Sequence, residues 1–214
     1  MQRRPIVAEA APPEDPSPPD AAEDEEPPSG PWRSTVEWVI IIAGALVVAI
    51  VVRTFLFGAF YIPSGSMEST LNINDRVLVN KVSYKVHPVH RGDIVVFKRP
   101  PAEQVGTIKD LIKRVVAVQG DTVEIANDHV ILNGRQLDEP YVHGLPTTLL
   151  SLYQVCPPVP GKPQSCKVPA HQILVMGDNR TNSSDGRVFG PIDTKLVVGR
   201  AFVRIWPLGD VSLL

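Results

Sequence analysis

The chain has 214 residues, 43% of them hydrophobic, which is enough for one domain with a buried core plus additional segments. Its formal net charge is -2 and no block of Lys or Arg stands out, which speaks against nucleic acid as a partner.

Residues 1–33 are read as a disordered tail. Residues 1–31 hold eight acids against Arg3 and Arg4, and nine of the 22 prolines. Such a composition cannot bury enough apolar surface to offset the entropy of ordering. From Trp38 to Val52 there is no charge and no proline. Arg53 interrupts, and apolar character resumes from Thr54 to Ile62. A transmembrane helix is predicted over 34–59, with Arg53 snorkelling and Trp32, Trp38, Phe60 and Tyr61 as interfacial aromatics. A buried core helix fits less well, because the run is apolar all round. A cleaved leader fits less well too, because the run follows a long acidic stretch rather than a short basic one. Counting Arg33 on one side against Arg53, Arg76 and Lys81 on the other would, taken alone, put the large domain in the cytoplasm.

Residues 60–214 are read as one domain, with a mostly β fold: an antiparallel sandwich or barrel-like sheet. Strands are expected at Val77–Val79, Asp93–Phe97, Ile112–Val118, Thr122–Ile125, Val130–Leu132, Ile173–Met176 and Leu196–Ile205. Asn133-Gly134 signals a tight hairpin. Residues 138–170 are Pro-rich and irregular, an insert or small subdomain. Within them Cys156 and Cys166 suit a disulfide outside the cytoplasm, with free thiols as the alternative. Two cysteines without a nearby histidine pair do not make a zinc site, and no metal or other cofactor is expected.

Two residues stand out chemically. Ser66 lies in Ile62-Pro63-Ser64-Gly65-Ser66-Met67, shortly after the apolar run. A serine hydroxyl is a poor nucleophile until a base takes its proton. Lys113 lies in Leu111–Val118, where period two puts Leu111, Lys113, Val115 and Ala117 on one face and Ile112, Arg114, Val116 and Val118 on the other. A lysine in such company loses charge on burial and can serve as that base; an edge lysine reaching for water is the alternative. A third segment, Gly177–Arg187, reads as a loop tightened by its own hydrogen bonds. There, Ser183 could orient the lysine amine, and Asp185 could pair with Arg187 or Arg114. The five histidines carry no pattern of a Ser-His-Asp triad.

Ile62–Leu71, Arg91–Lys98 with Ile112–Val116, and Gly177–Arg187 together resemble, in order and spacing, the conserved boxes of bacterial type I signal peptidases. The resemblance covers about residues 36–206, and one span rather than two is similar to the Gram-positive-type architecture. It departs from the family at Ala117-Val118-Gln119-Gly120-Asp121, at Thr181 and at Gly186. It implies a membrane-anchored serine endopeptidase that removes N-terminal signal peptides from exported preproteins. Ser66 would be the nucleophile and Lys113 the base. The Ser64 hydroxyl and the Ser66 N–H would form the oxyanion hole. Ser183 would hydrogen-bond the Lys113 amine, with Asp185 and Arg187 as structural support. Phe60, Ile62, Met67, Leu71 and Ile112 would line shallow pockets for small residues at −1 and −3 of the substrate. The N-terminus would be cytoplasmic and the catalytic domain extracytoplasmic, overriding the charge count. The implied partners are preproteins, the lipid bilayer and the secretion machinery. The rival of a different class is a catalytically silent, membrane-tethered β-domain that binds extended peptides.

Overall fold

The computed structural model describes residues 31–52, 56–103, 108–150 and 152–214. Residues 1–30 of the predicted acidic tail lie outside these. Helix α1 spans Pro31–Val51. Proline at a first helical position costs no hydrogen bond, since that N–H has no partner in any case. Within α1, Ser34–Val51 has a mean hydropathy of 2.3 and no buried residue. At 1.5 Å per residue the 21 residues reach about 31 Å, close to the hydrocarbon thickness of a bilayer. This one apolar helix fits a single membrane span.

The predicted helix boundary at residue 59 is corrected. The chain is already in strand β1 (Phe57–Tyr61) there. Hydropathy cannot tell a continuing helix from a strand built of aromatics. What decides is partners: β1 pairs antiparallel along its whole length with β2 (Arg76–Asn80), and Phe57 packs on Phe202 at 5.9 Å between ring centroids.

After helix α2 (Ser83–Val86), the strands are β3 (Ile94–Lys98), β4 (Asp110–Val118), β5 (Thr122–Ala126), β6 (His129–Leu132) and β7 (Arg135–Gln136). Helix α3 (Leu152–Val155), β8 (Cys166–Lys167), β9 (Gln172–Met176), helix α4 (Gly186–Phe189), β10 (Ile192–Asp193), β11 (Val197–Trp206) and β12 (Ser212–Leu213) complete the order. The large sheet is a curled antiparallel half-barrel, ordered β1-β2-β11-β3-β4-β9-β10, with β12 also on β11. A small sheet is ordered β7-β6-β5-β8. Each predicted strand is present. The short β8, β10 and β12 were not anticipated, because two residues carry no periodicity. The Asn133-Gly134 turn joins β6 to β7 with both residues at positive φ (53° and 81°), as a type I′ hairpin requires.

The predicted alternation along β4 holds only as far as Val115. A bulge between Val115 and Ala117 shifts the register on β9. Val118 therefore joins Leu111 and Val115 in one cluster with Phe97, Ile173 and Phe189, while Ala117 joins Val116 in another. An extra residue on one strand reverses which face the later side chains meet, and a bulge leaves no mark in hydropathy. A third cluster, of Ile62, Met67, Leu71, Val77, Val79, Val96 and Ile112, lies between the Ser66 segment and the sheet.

The irregular insert is tied down rather than loose. Cys156 and Cys166 are disulfide-bonded with Cα atoms 5.2 Å apart, and Cys166 pairs with Val123 as part of β8.

Candidate active site

Ser66 sits in a single 3-10 turn, Gly65–Met67, that follows extended Ser64 (φ −138°, ψ 155°). Met67 and, just beyond, Leu71 are fully buried and anchor the turn in the core. The loop after β9 grips it from the other side. Asn179 N donates to Ser66 O at 3.2 Å, and Asn179 Nδ2 donates to Gly65 O at 3.0 Å and to Glu68 Oε2 at 3.2 Å. Gly177 makes this approach feasible: a Cβ there would run into the Ser66 carbonyl and the Ser183 side chain.

Lys113 comes to the same point from β4. Its Nζ stands 2.7 Å from Ser66 Oγ and donates to Ile112 O at 3.0 Å. Both residues are buried, Ser66 at 7% and Lys113 at 4% exposure. Burial pushes the amine down from 10.5 to about 8, against the upward pull of Asp185, Glu103 and Asp178. A neutral amine can give one hydrogen to Ile112 O and offer its lone pair to the Ser66 hydroxyl.

The loop following β9 is built on buried charge pairs. Arg187, fully buried, forms a two-pronged bond to Asp185 through Nε and Nη2, both at 2.9 Å. Asp185 also accepts from Gly177 N at 3.0 Å, and Arg187 Nη2 donates to Arg180 O at 2.8 Å. Of the two partners proposed for Asp185, the structure selects Arg187. Arg114 goes instead to Asp178 (Nε–Oδ1 2.9 Å, Nη2–Oδ2 2.6 Å) and lies 4.0 Å from the Tyr141 ring centroid. Thr70 Oγ1 donates to the same Asp178 at 2.6 Å. Arg180, also buried, pairs with Glu139 and donates to Thr147 Oγ1 at 2.6 Å. Glu139, Thr147, Thr70 and Asp178 had no role in the sequence reading. Their partners are distant in the chain, so no spacing could reveal them.

Two expectations are corrected. The implied Ser183–Lys113 hydrogen bond is not formed. The amine has Ser66 Oγ and Ile112 O, while Ser183 Oγ is buried without a partner among the described residues. Of the implied pocket residues, Phe60, Ile62 and Ile112 do line a small cleft of about 40 Å³ with Ser64, Ser66 and Lys113. Met67 and Leu71 do not: with 0% exposure they fill the core beneath its floor. The cleft runs between the end of β1 and the start of β4, where residues 110–113 have β3 on one side and lie beyond the reach of β9 on the other. Ser64 makes no side-chain cap to the turn, so its hydroxyl is not spent there. Among the described residues no three His, Cys, Asp or Glu side chains gather as a metal site.

A sheet of this topology carrying a buried serine–lysine contact suits a hydrolase, and comparison with known proteins defines the class. The sequence model "Signal peptidase, peptidase S26" matches residues 35–206. The chain belongs to this peptidase family. It is 40% identical over 191 residues to a probable signal peptidase I-2 of Synechocystis sp., covering 89% of this chain and 80% of that one. It is 38% identical over 203 residues to signal peptidase I of Leptolyngbya laminosa (90% and 94%). Signal peptidase IB of Staphylococcus aureus is 36% identical over 183 residues (83% and 93%). A crystal structure of a signal peptidase I from Enterococcus faecalis V583 matches 53% of this chain and 97% of that one at 28% identity, with a TM-score of 0.40.

Proposed function

We propose that the protein is a membrane-anchored endopeptidase that removes signal peptides from preproteins through Ser66 and Lys113. The observation that carries this reading is the 2.7 Å contact between Lys113 Nζ and Ser66 Oγ, buried, in a member of the signal peptidase family. Ser66 Oγ attacks the scissile carbonyl carbon while its proton passes to Lys113 Nζ. The charge that develops on the carbonyl oxygen is met by the Ser64 hydroxyl and the Ser66 N–H. The latter lies in the first turn of its 3-10 helix, where N–H groups lack intrahelical partners. The ammonium returns its proton to the leaving amine, and an acyl-enzyme remains. Lys113 then takes a proton from water, which attacks the ester, and returns that proton to Ser66 Oγ as the acyl C–O bond breaks.

The substrate lies extended in the cleft, beside the edge of β4 at residues 110–113 that β9 does not pair. A cleft this small, floored by Phe60, Ile62 and Ile112, admits small side chains at the cut. Helix α1 holds the domain at the membrane, with the N-terminus cytoplasmic and the sheet domain outside. The Cys156–Cys166 bond supports that side, because disulfides persist outside the reducing cytoplasm. A silent peptide-binding domain would gain nothing from burying a lysine against a serine.

The test is a preprotein with an Ala-x-Ala site, incubated with detergent-purified wild type, Ser66→Ala and Lys113→Ala, the cut being located by mass spectrometry. Cleavage after the second alanine by wild type alone is expected. Undiminished cleavage by Ser66→Ala would refute the reading. Protease added outside sealed cells should digest the sheet domain; protection there would reverse the proposed topology.

A further inference from the structure

Asn179, in the loop after β9, holds both peptides that flank Ser66. Its backbone N–H donates to Ser66 O at 3.2 Å, and its side-chain Nδ2 donates to Gly65 O at 3.0 Å. The second contact bears on the chemistry, because Gly65 O and the Ser66 N–H are the two ends of one peptide unit. That unit is planar and trans, so its carbonyl and its N–H point in opposite directions. Whatever fixes the Gly65 carbonyl therefore fixes the line along which the Ser66 N–H is aimed. The turn's own bond to this carbonyl, from Glu68 N, is longer, at 3.2 Å. The Asn179 amide is itself oriented by its neighbours. Nδ2 faces two acceptors, Gly65 O and Glu68 Oε2, while Oδ1 accepts from Thr181 Oγ1 at 3.2 Å. Turned over, the amide would set an oxygen against two oxygens and lose all three bonds. A bond donated to the carbonyl also polarises the peptide and strengthens its N–H as a donor.

We propose that Asn179 is a positioning residue for the oxyanion hole: by binding Gly65 O it aims the Ser66 N–H at the oxygen of the scissile carbonyl. The inference rests on Ser66 being the nucleophile. Asn179 acts through the peptide and does not touch the substrate. Released from Asn179, the peptide rocks about its flanking bonds, and its N–H spends less time on the line to the developing charge. A donor is effective there only when already in place, because moving it during the reaction costs part of the stabilisation it gives. The Lys113 Nζ–Ser66 Oγ contact comes from β4 and is not made through Asn179. The backbone bond from Asn179 N to Ser66 O survives a change of side chain. The defect therefore falls on the charged transition state, and neither the base nor the binding of the substrate ground state is affected.

The experiment uses the full chain in detergent as wild type, Ser66→Ala, Asn179→Ala and Asn179→Asp, with the Ala-x-Ala preprotein across a range of pH. Both Asn179 variants should lose about ten- to hundredfold in kcat with KM little altered, less than the roughly 100- to 1000-fold that deleting an oxyanion donor outright costs. The acidic limb of the Asn179→Ala profile should stay at its wild-type position, since Lys113 is untouched. Asn179→Asp keeps the size and the bond from Thr181 but sets a carboxylate oxygen against Gly65 O, so it should be no better than Asn179→Ala. Two inhibitors of the same sequence supply the deciding comparison. With a peptide aldehyde, Ser66 Oγ adds to the carbonyl carbon, its proton passes to Lys113 Nζ, and the former carbonyl oxygen carries the charge in the hole. A reduced peptide, with CH2–NH in place of the scissile amide, has no such oxygen. The aldehyde should bind both variants about ten- to hundredfold more weakly, and the reduced peptide should bind them as it binds wild type. Equal weakening of the two inhibitors, an unweakened aldehyde, a displaced limb in Asn179→Ala, or turnover by Asn179→Asp near that of wild type would overturn the proposal. A wild type without Ser66-dependent cleavage would remove the proposed function and this inference with it. A wild type that cleaves, with Asn179 variants that cleave equally well, would overturn this inference alone.

Discussion

Replacing Lys113 by methionine should stabilise the protein while abolishing the proposed chemistry. The amine is 4% exposed and is pushed by burial from 10.5 to about 8. At about 1.4 kcal/mol per pH unit, the folded state gives up roughly 3 kcal/mol when it carries the charged lysine. The sign follows from the order of the two values. Between pH 8 and 10.5 the unfolded chain binds more protons than the folded one, so wild-type stability climbs through that window as pH rises. The charge contributes its full penalty below the window and none above it. Lys113→Met keeps the stem and removes the charge, but forfeits two hydrogen bonds of about 1 kcal/mol each. A net gain of about 1–2 kcal/mol is expected at pH 6, turning into a loss of about 2 kcal/mol above pH 10.5, where only the two missing hydrogen bonds count. Urea titrations of both proteins in one detergent at pH 6, 8 and 10 measure this. A variant less stable at pH 6 by an amount that does not change with pH would show that Lys113 is not held against its charge.

Other changes separate the chemistry from its supports. Gly177→Ala forces a methyl group against the Ser66 carbonyl and should cut kcat by about 100-fold, since a displacement near 1 Å has that effect; unaltered kcat would mean the loop does not position Ser66. Arg187→Ala strands a fully buried Asp185 carboxylate and should cost about 3–5 kcal/mol, visible as a lower urea midpoint. Leu71→Ala should lose about 2–5 kcal/mol with KM little altered, because Leu71 lies under the cleft, whereas Phe60→Ala should raise KM. A KM change confined to Leu71→Ala would place that side chain in the pocket after all.

The longer strands, β2 to β6, β9 and β11, were legible because β-branched residues, turn residues and period two speak for themselves over four or more positions. Ser66, Lys113, Asp185 and Arg187 were legible from a motif resemblance, which marked them before any geometry. The end of α1 was not: from Thr54 to Ile62 hydropathy is the same whether the chain continues as helix or turns to pair with β2. Nor were Met67 and Leu71 legible as core, because a motif marks a position without saying which way its side chain faces.

From the sequence alone follow an apolar segment long enough for a bilayer, a β domain, and a serine and a lysine of unusual setting, for these depend on local composition, period and order. The tertiary structure alone decided what those residues meet. The bulge in β4, the choice of Arg187 for Asp185 and Arg114 for Asp178, and the seat of Glu103 against Ser184 all depend on segments tens of residues apart. The same holds for the lysine itself: its chemistry is set by the water it loses on burial, and that is fixed only when Ser66, β4 and the loop after β9 close around it.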